Sequence, residues 1–396
     1  MSIDAIIIGQ NYSTSIGLIK GIGILGYKSA SIKRVTHKLL FPTPELVCRF
    51  VEKYEYTVVR PGKQLIELLV NEYTDNDKKV VLIPSDDYCA ALIDKYREQL
   101  ENYFLVPGIE SGSNVEFYMD KEEQKKIALK HRISTAAYSV IHISDGSYEL
   151  PTITFPCITK PRKSIEGSKK NIRICYNQND LEKTLENVIN TGGKDILAEE
   201  VINYDFEYTV PGLALPGCVY ISALLKKTRI GQGEHRGVTG AGQVVPIEKN
   251  IAIVDNIKEM ILDIGFVGIF DVELFEKNGQ FYFNELNLRN GAAGYALTAA
   301  GANIPGAFME WARTGNTYFT FKPKTLSFVS EKVILESFES GLITWKEYKN
   351  TLKNSDVKLV DDVSDSRCRM AYKLLEGKAI LRVLRNKIRK KLIWNQ

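Results

Sequence analysis

With 396 residues, 44% of them hydrophobic and 25% charged, the chain has the bulk of an ordinary folded protein and enough length for two to four domains; disulfide-stapled miniproteins, coiled coils and disordered chains are excluded. Fifty-two Lys and Arg against 48 Asp and Glu leave a formal charge of +4, too small a bias over so large a surface to indicate nucleic acid. The six cysteines (Cys48, Cys89, Cys157, Cys175, Cys218, Cys368) show no Cys-x-x-Cys spacing, which speaks against a zinc site or secreted disulfide framework and for a reducing cytoplasm.

The apolar run Ala5 to Ile8 is too short for a signal-peptide core, and no stretch approaches the ~20 apolar residues of a membrane span. Ile3 to Ile8 reads instead as a buried strand. A polar turn from Gly9 to Ser15 leads into an apolar helix, Ile16 to Leu25, stopped by Gly26. A strand at Ser29 to Ile32, a helix from Lys63 to Tyr73, the strand Val80 to Ile83 and a helix from Tyr88 to Leu100 follow. This alternation predicts a doubly wound parallel α/β sheet. Gly21-Ile22-Gly23-Ile24-Leu25-Gly26 spells the dinucleotide fingerprint, yet these glycines fall inside and at the end of the helix, where its amides cannot face a pyrophosphate. Ser85-Asp86-Asp87 is better placed, at the carboxyl end of a strand where ligands collect, and capping of the next helix is an equally open role.

Asp120-Lys121-Glu122-Glu123 predicts a capping box opening a helix to about His131, with Lys121 at its positive end. A strand at Tyr138 to Ile143 precedes a second run, Phe155 to Thr159, that delivers Lys160. The loop Lys163 to Lys170, with Ser164, Gly167 and Ser168, is small, cationic and able to fold over phosphates, or equally a solvated turn. Asp195 to Ile202 is an apolar strand turning acidic at Glu199-Glu200, with Glu207 downstream. Two aromatic-rich strands, Phe270 to Phe275 and Phe281 to Arg289, flank Asn278-Gly279 and predict a hairpin. A two-residue loop would set Glu273 and Glu285 on opposite faces; a three-residue loop, Lys277-Asn278-Gly279, would gather them on one face with Asn287 and Arg289. Hard oxygen ligands so gathered would hold magnesium, with the arginine facing developing negative charge, while an edge hairpin with a charged solvent face is the other reading.

In this order, two spaced lysines, a glycine loop, a strand ending in Glu-Glu, and Glu-x11-Glu-x-Asn-x-Arg, the sequence resembles the ATP-grasp superfamily. The hairpin is similar to that of biotin carboxylase and carbamoyl-phosphate synthetase relatives. The resemblance spans roughly Met1 to Asn316. It implies an α/β and α+β fold class: a pre-ATP-grasp doubly wound parallel sheet (1–115), then a two-lobed ATP-grasp fold with its lid (116–195) and sheet domain (196–322), leaving a C-terminal helical segment (323–396). It also implies ATP with Mg2+, or Mn2+ in its place, and a ligase that joins a carboxylate to an amine through an acyl phosphate. A phosphotransferase of the same fold and a non-catalytic nucleotide-binding scaffold are the alternatives. Carried over by position, Lys121 and Lys160 match the phosphate lysines, Ser164, Gly167 and Ser168 the loop, Glu199, Glu200 and Ile202 the adenine hinge, and Glu207 the ribose carboxylate. Glu273, Glu285 and Asn287 match the metal ligands, and Arg289 the residue that steadies the acyl phosphate.

No Met-Lys biotin site is present, so biotin chemistry is not implied. Gly291 to Tyr295 followed by Ala299 to Pro305 resembles ligases that attach amino acids to cell-wall or capsular precursors, such as D-aspartate ligase; a small-molecule amino acid and a carboxylate are then the substrates, and a homodimer through the first domain fits the family. Arg236, in Glu234 to Gly240, is a candidate for a substrate carboxylate, with a glycine-rich surface turn as the other reading; His235 there could be a general base, although a lone loop histidine is usually just solvated. Beyond Pro323, Val333 to Tyr348 predicts helices packed outside the nucleotide core. Lys378 to Lys391 carries seven Lys or Arg and no acid, with Ile380, Leu384, Ile388 and Leu392 every fourth residue. Such a helix either lies on an anionic membrane at the inner face or docks its stripe on the protein.

Overall fold

The computed structural model describes residues 3–35, 41–58, 62–75, 77–109, 115–163, 165, 171–231, 237–247, 251–361 and 365–394. The first sheet holds β1 (Ala5–Gly9), β2 (Ser29–Val35), β3 (Val51–Val58), β4 (Val80–Pro84) and β5 (Phe104–Leu105), all parallel in the order β3-β2-β1-β4-β5. Helices α1 (Tyr12–Ile24), α2 (Gly62–Glu72), α3 (Asp87–Lys95) and α4 (Arg97–Leu100) connect them. Every residue of β1 and β4 is buried, as expected for strands covered on both faces. The strand order reverses between β1 and β4, so a crevice opens beyond their carboxyl ends.

Two local expectations are corrected here, and one strand was not foreseen. The helix after β1 begins at Tyr12 rather than Ile16, because Asn11 caps it by accepting the Ser13 N–H at 3.2 Å. Tyr88 to Leu100 breaks into α3 and α4 at Tyr96, and β3 had no clear signature in the sequence. The fingerprint glycines serve packing: a Cβ on Gly21 would lie 2.8 Å from Asn303 Oδ1, and one on Gly23 would lie 2.1 Å from the Phe50 ring.

Two short strands, β6 (Gly108–Ile109) and β7 (Ser134–Thr135), later join the largest sheet, and α5 (Lys121–Lys130) lies between them. A small antiparallel sheet follows, in the order β12-β11-β13-β8, built from β8 (Tyr138–Ile141), β11 (Cys157–Pro161), β12 (Arg173–Cys175) and β13 (Ile196–Glu200). The ribbon of β9 (Ile143–Ser144) and β10 (Ser147–Tyr148) stands beside it, and α6 (Gln178–Asn190) buries Leu181, Leu185 and Val188 in its core cluster.

The largest sheet has ten strands. Its members are β14 (Phe206–Leu215), β15 (Cys218–Tyr220), β16 (Ala223–Ile230), β17 (Thr239–Pro246), β18 (Phe266–Lys277) and β19 (Gln280–Asn287), with β6, β7, β20 (Leu326–Val329) and β21 (Val357–Lys358). The apolar face of α7 (Ala252–Ile264) buries Ile257, Met260 and Ile261 in one core cluster with Val210, Phe270 and Val272 of the sheet, each such side chain contributing about 1.5–3 kcal/mol. A second cluster joins α1, α8 (Gly294–Ala299) and α9 (Ile304–Thr314) to residues of the sheet.

The stretch after Pro323 is not purely helical and does not simply sit outside. β20 pairs with β17, and α10 (Glu331–Glu339), α11 (Trp345–Lys353) and α12 (Ser366–Trp394) enclose buried polar contacts. Glu331 accepts the N–H groups of Val360 at 3.0 Å and Asp361 at 2.5 Å, while Lys20 of α1 donates to the carbonyls of Leu359 and Val360. Cysteines distant in sequence also meet. Cys157 lies opposite Cys175, and Cys48 and Cys368 gather with Asp365 within 4.8 Å, all as free thiols. Asp365 accepts the N–H groups of Arg49 and Cys368, and the Cys368 thiol donates to Pro44 O at 3.2 Å, so hydrogen bonding accounts for that cluster. No helix among the described residues is long and apolar enough to cross a membrane.

Candidate active site

The hairpin β18–β19 turns at Asn278 (φ 51°) and Gly279 (φ 76°), and Lys277 pairs with Gln280. The loop therefore has two residues, the primed turn that Asn-Gly favours, and the expected three-residue loop is incorrect. That register alone would oppose the carboxylates. A bulge restores them to one face: Leu274 pairs with Phe283 but Glu273 with Glu285, leaving Asn284 extra. Asp271 is likewise opposite Asn287. Asp271, Glu273, Glu285 and Asn287 thus line one wall of a cavity of about 670 Å3 between the two antiparallel sheets and the crevice of the parallel one.

Lysines supply the facing charge. Lys121 heads α5, whose cap Asp120 accepts the Glu122 N–H at 2.9 Å; Glu123 pairs with Lys126, so the predicted capping box does not form. Lys121 Nζ lies 3.2 Å from Glu285 Oε1. Lys160 on β11 donates to Glu199 Oε2 at 3.0 Å and to Asn284 Oδ1 at 2.9 Å. One turn beyond Lys121 the fully buried Lys125 faces Glu199 Oε1 at 3.4 Å. Burial opposes ionisation of Glu199, but Lys160 and Lys125 prevail and hold its carboxyl below the usual range. Glu285 is similarly drawn to about 2: burial is outweighed by Lys121, Lys160 and Arg289.

Glu207 on β14 is ion-paired with Lys227 of β16, and Tyr204 Oη donates to it at 3.3 Å. Lys227 also reaches Glu273 Oε2 at 3.4 Å and Gly237 O at 3.0 Å. Tyr204 stacks on Phe275 with ring centroids 4.5 Å apart. Glu200 and Ile202 line the same cavity, with the Glu200 N–H committed to Ala137 O at 2.9 Å.

The parallel sheet contributes the remaining wall. Asp86 caps α3 by accepting the Cys89 N–H at 2.8 Å, the structural role left open for it. Its neighbour Asp87 turns to Arg289, which donates from Nε at 2.9 Å and from Nη2 at 3.4 Å, and also bonds Asn287 Oδ1 at 2.9 Å. Beside them Asp271 is buried with Oδ1 unpartnered among the described residues. Burial, reinforced by Glu273, pushes its carboxyl up to about 8.

The cavity therefore gathers Lys121, Lys160, Glu199, Glu200, Ile202, Glu207, Glu273, Glu285, Asn287 and Arg289. Ser164, Gly167, Ser168 and Arg236 lie outside the described residues. Reading the sequence marked the stretch holding Asp87 as a ligand position but missed Lys125, Lys227, Asn284 and Asp271. Only Lys125 had a usable signal, since it stands four residues after Lys121 on the same helix face.

The donor set fits a magnesium ion: two carboxylates and an amide oxygen on one face, with Glu285 held ionised. The apolar lining of Ile158, Ile174, Ile202 and Phe275, in the same cavity as the lysines, fits a purine bearing phosphates.

A small antiparallel lobe closing on a large one, with lysines on one wall and oxygen donors on the other, is the layout of a nucleotide-grasping fold. Residues 126–305 match the family model described as the ATP-grasp domain, so this part of the chain is an ATP-grasp domain. It is 26% identical over 264 residues to D-aspartate ligase of Enterococcus faecium, covering 61% of this chain and 60% of the relative. It is 25% identical over 252 residues to formate-dependent phosphoribosylglycinamide formyltransferase of Nitratiruptor sp., covering 62% and 61%. The chain thus spans about three fifths of the length of these curated relatives. Among solved structures it is similar to an L-amino acid ligase from Bacillus licheniformis (TM-score 0.60, 16% identity, 83% of this chain and 80% of that one). Biotin carboxylase from Campylobacter jejuni gives a TM-score of 0.60 at 16% identity over 82% and 75%.

Proposed function

We propose that this chain is an ATP- and magnesium-dependent ligase that joins a carboxylate to an amine, with an amino acid as one substrate. The observation that carries the reading is the shared face of Glu273, Glu285 and Asn287 beside Arg289. The three oxygen donors would hold the ion, which when bound neutralises charge on the phosphates. Lys121 and Lys160 sit where ammonium groups would stabilise the transferring phosphoryl group, the main source of rate in such reactions. The substrate carboxylate takes that phosphoryl group from ATP, releasing ADP. The amine then attacks the acyl carbon and phosphate leaves. Arg289, a forked donor, is the residue to hold the carboxylate and the acyl phosphate.

On the amine side, Asp87, beside Arg289, offers a carboxylate suited to an ammonium-bearing substrate. The names of D-aspartate ligase and the L-amino acid ligase support an amino acid as that substrate. The segment Gly291 to Pro305, similar to such ligases, extends the reading to a cytoplasmic step in cell-wall or capsular precursor synthesis. The test is ADP and phosphate release by the purified chain against a panel of amino acids and carboxylates. Release that requires both a carboxylate and an amine is the expected result. ADP release indifferent to amine would make the chain a phosphotransferase, and no release with any pair would make it a scaffold.

A further inference from the structure

The helix α12 is apolar on two opposite sides. One side is the inner face: Cys368, Ala371, Tyr372 and Ala379 are buried, and Tyr348 Oη donates to Glu376 at 2.6 Å. The other faces water, with Met370 66% exposed, Leu374 48%, Leu381 67%, Leu384 50% and Ile388 59%. At 3.6 residues per turn these five lie within an arc of roughly 80°, in a stripe about 27 Å long. The buried residues fall on the opposite half of the helix wheel. Docking on the protein, one of the two roles open to this helix, therefore uses a different face and leaves the second stripe uncovered.

Charge decides what could cover it. From Ser366 to Trp394 the helix carries ten Lys or Arg and a single acid, Glu376, and that acid is buried. Arg369 and Arg382 are tied to Asp361 and Glu339. By helical position Lys373, paired with Glu376 at 2.9 Å, borders the apolar arc on one side, and Lys378, which lies over the Phe41 ring, and the exposed Arg385 border it on the other. A second copy of the helix laid along the stripe would bring two such cationic borders together, and repulsion would oppose the pairing. An anionic lipid surface meets both requirements at once, since the apolar arc enters the acyl boundary while the basic borders reach the headgroups.

We propose that α12 holds the protein on an anionic bilayer through Met370, Leu374, Leu381, Leu384 and Ile388. The inference is independent of the ligase reading, because vesicle binding is measured without substrates. The full chain is cosedimented with phosphatidylcholine vesicles, with and without phosphatidylglycerol, beside two variants altered only at exposed positions. One is Leu381→Ser with Leu384→Ser, and the other Arg385→Glu. Binding to the anionic vesicles alone is expected, weakened at least 10-fold in either variant. It should be released at 1 M salt, as the Debye length falls from ~8 Å to ~3 Å. Equal partitioning of all three proteins would overturn the proposal. So would wild-type dimers in analytical ultracentrifugation that the leucine variant dissociates, which would make a second copy the occupant.

Discussion

Arg289 and Asp87 are 202 residues apart in the chain, and the guanidinium lies side-on to the carboxylate, with Nε 2.9 Å from Oδ1 and Nη2 3.4 Å from Oδ2. The helix α3 of the parallel-sheet layer thereby sets the aim of an arginine that follows the β18–β19 hairpin. Asp87→Asn removes the charge while keeping the shape. Hydrogen bonds to charged groups contribute about 1.5–3 kcal/mol, so kcat is expected to drop roughly 10-fold or more with the KM for ATP little changed. Unaltered kcat at saturating amine would reduce Asp87 to a surface partner.

Glu285→Gln keeps the size of the side chain and discards the charge that Lys121, Lys160 and Arg289 converge on. The variant is expected to fold and to lose turnover by a factor on the order of 10² to 10³, the range for losing a group that stabilises transition-state charge. Undiminished turnover at limiting magnesium would remove Glu285 from the metal-binding set.

Lys160→Ala should weaken ATP binding about 10- to 150-fold, the equivalent of about 1.5–3 kcal/mol for a charge-assisted contact. Calorimetric titration with ATP reads this directly. A melting curve run alongside separates it from the stability lost when Glu199 keeps only Lys125 as its buried cation. Unchanged affinity would return Lys160 to a structural role.

Asp271, with its carboxyl raised from 3.8 to about 8, carries a proton in the folded protein that the unfolded chain has released. Stability in magnesium-free buffer should therefore fall as pH rises from about 4 to about 8, by up to about 1.4 kcal/mol per pH unit for one proton, and level off above. Asp271→Asn should abolish that slope. Denaturant melts across this window, identical in slope for both proteins, would contradict the assignment.

Gly23→Ala would place a methyl group 2.1 Å from the Phe50 ring. Overpacking of this kind typically costs about 1–3 kcal/mol, and a lower melting temperature with ATP affinity preserved is the expected pair of results. An unshifted melting temperature would mean that the ring moves aside freely.

Much of this protein is determined by local sequence. The isoleucine runs set the buried strands of the parallel sheet and Asn278-Gly279 sets the hairpin turn, because turn chemistry and side-chain alternation act over a few residues; Glu273, Glu285, Asn287 and Arg289 are marked by their spacing only together with the resemblance. What a few residues cannot encode was decided by tertiary contact. The turn is tight, and only the bulge at Asn284 brings Glu285 opposite Glu273. Asp87 could be marked only as lying at a strand's carboxyl end, because its partner Arg289 stands 202 residues away in the chain. Lys227 and Asp271 acquire their charge environments from strands that meet only in the finished sheet. The two apolar sides of α12 were not separable in sequence, since periodicity reports that a face is apolar, while burial of one side and exposure of the other depend on what α10, α11 and the segment around Pro44 present to it.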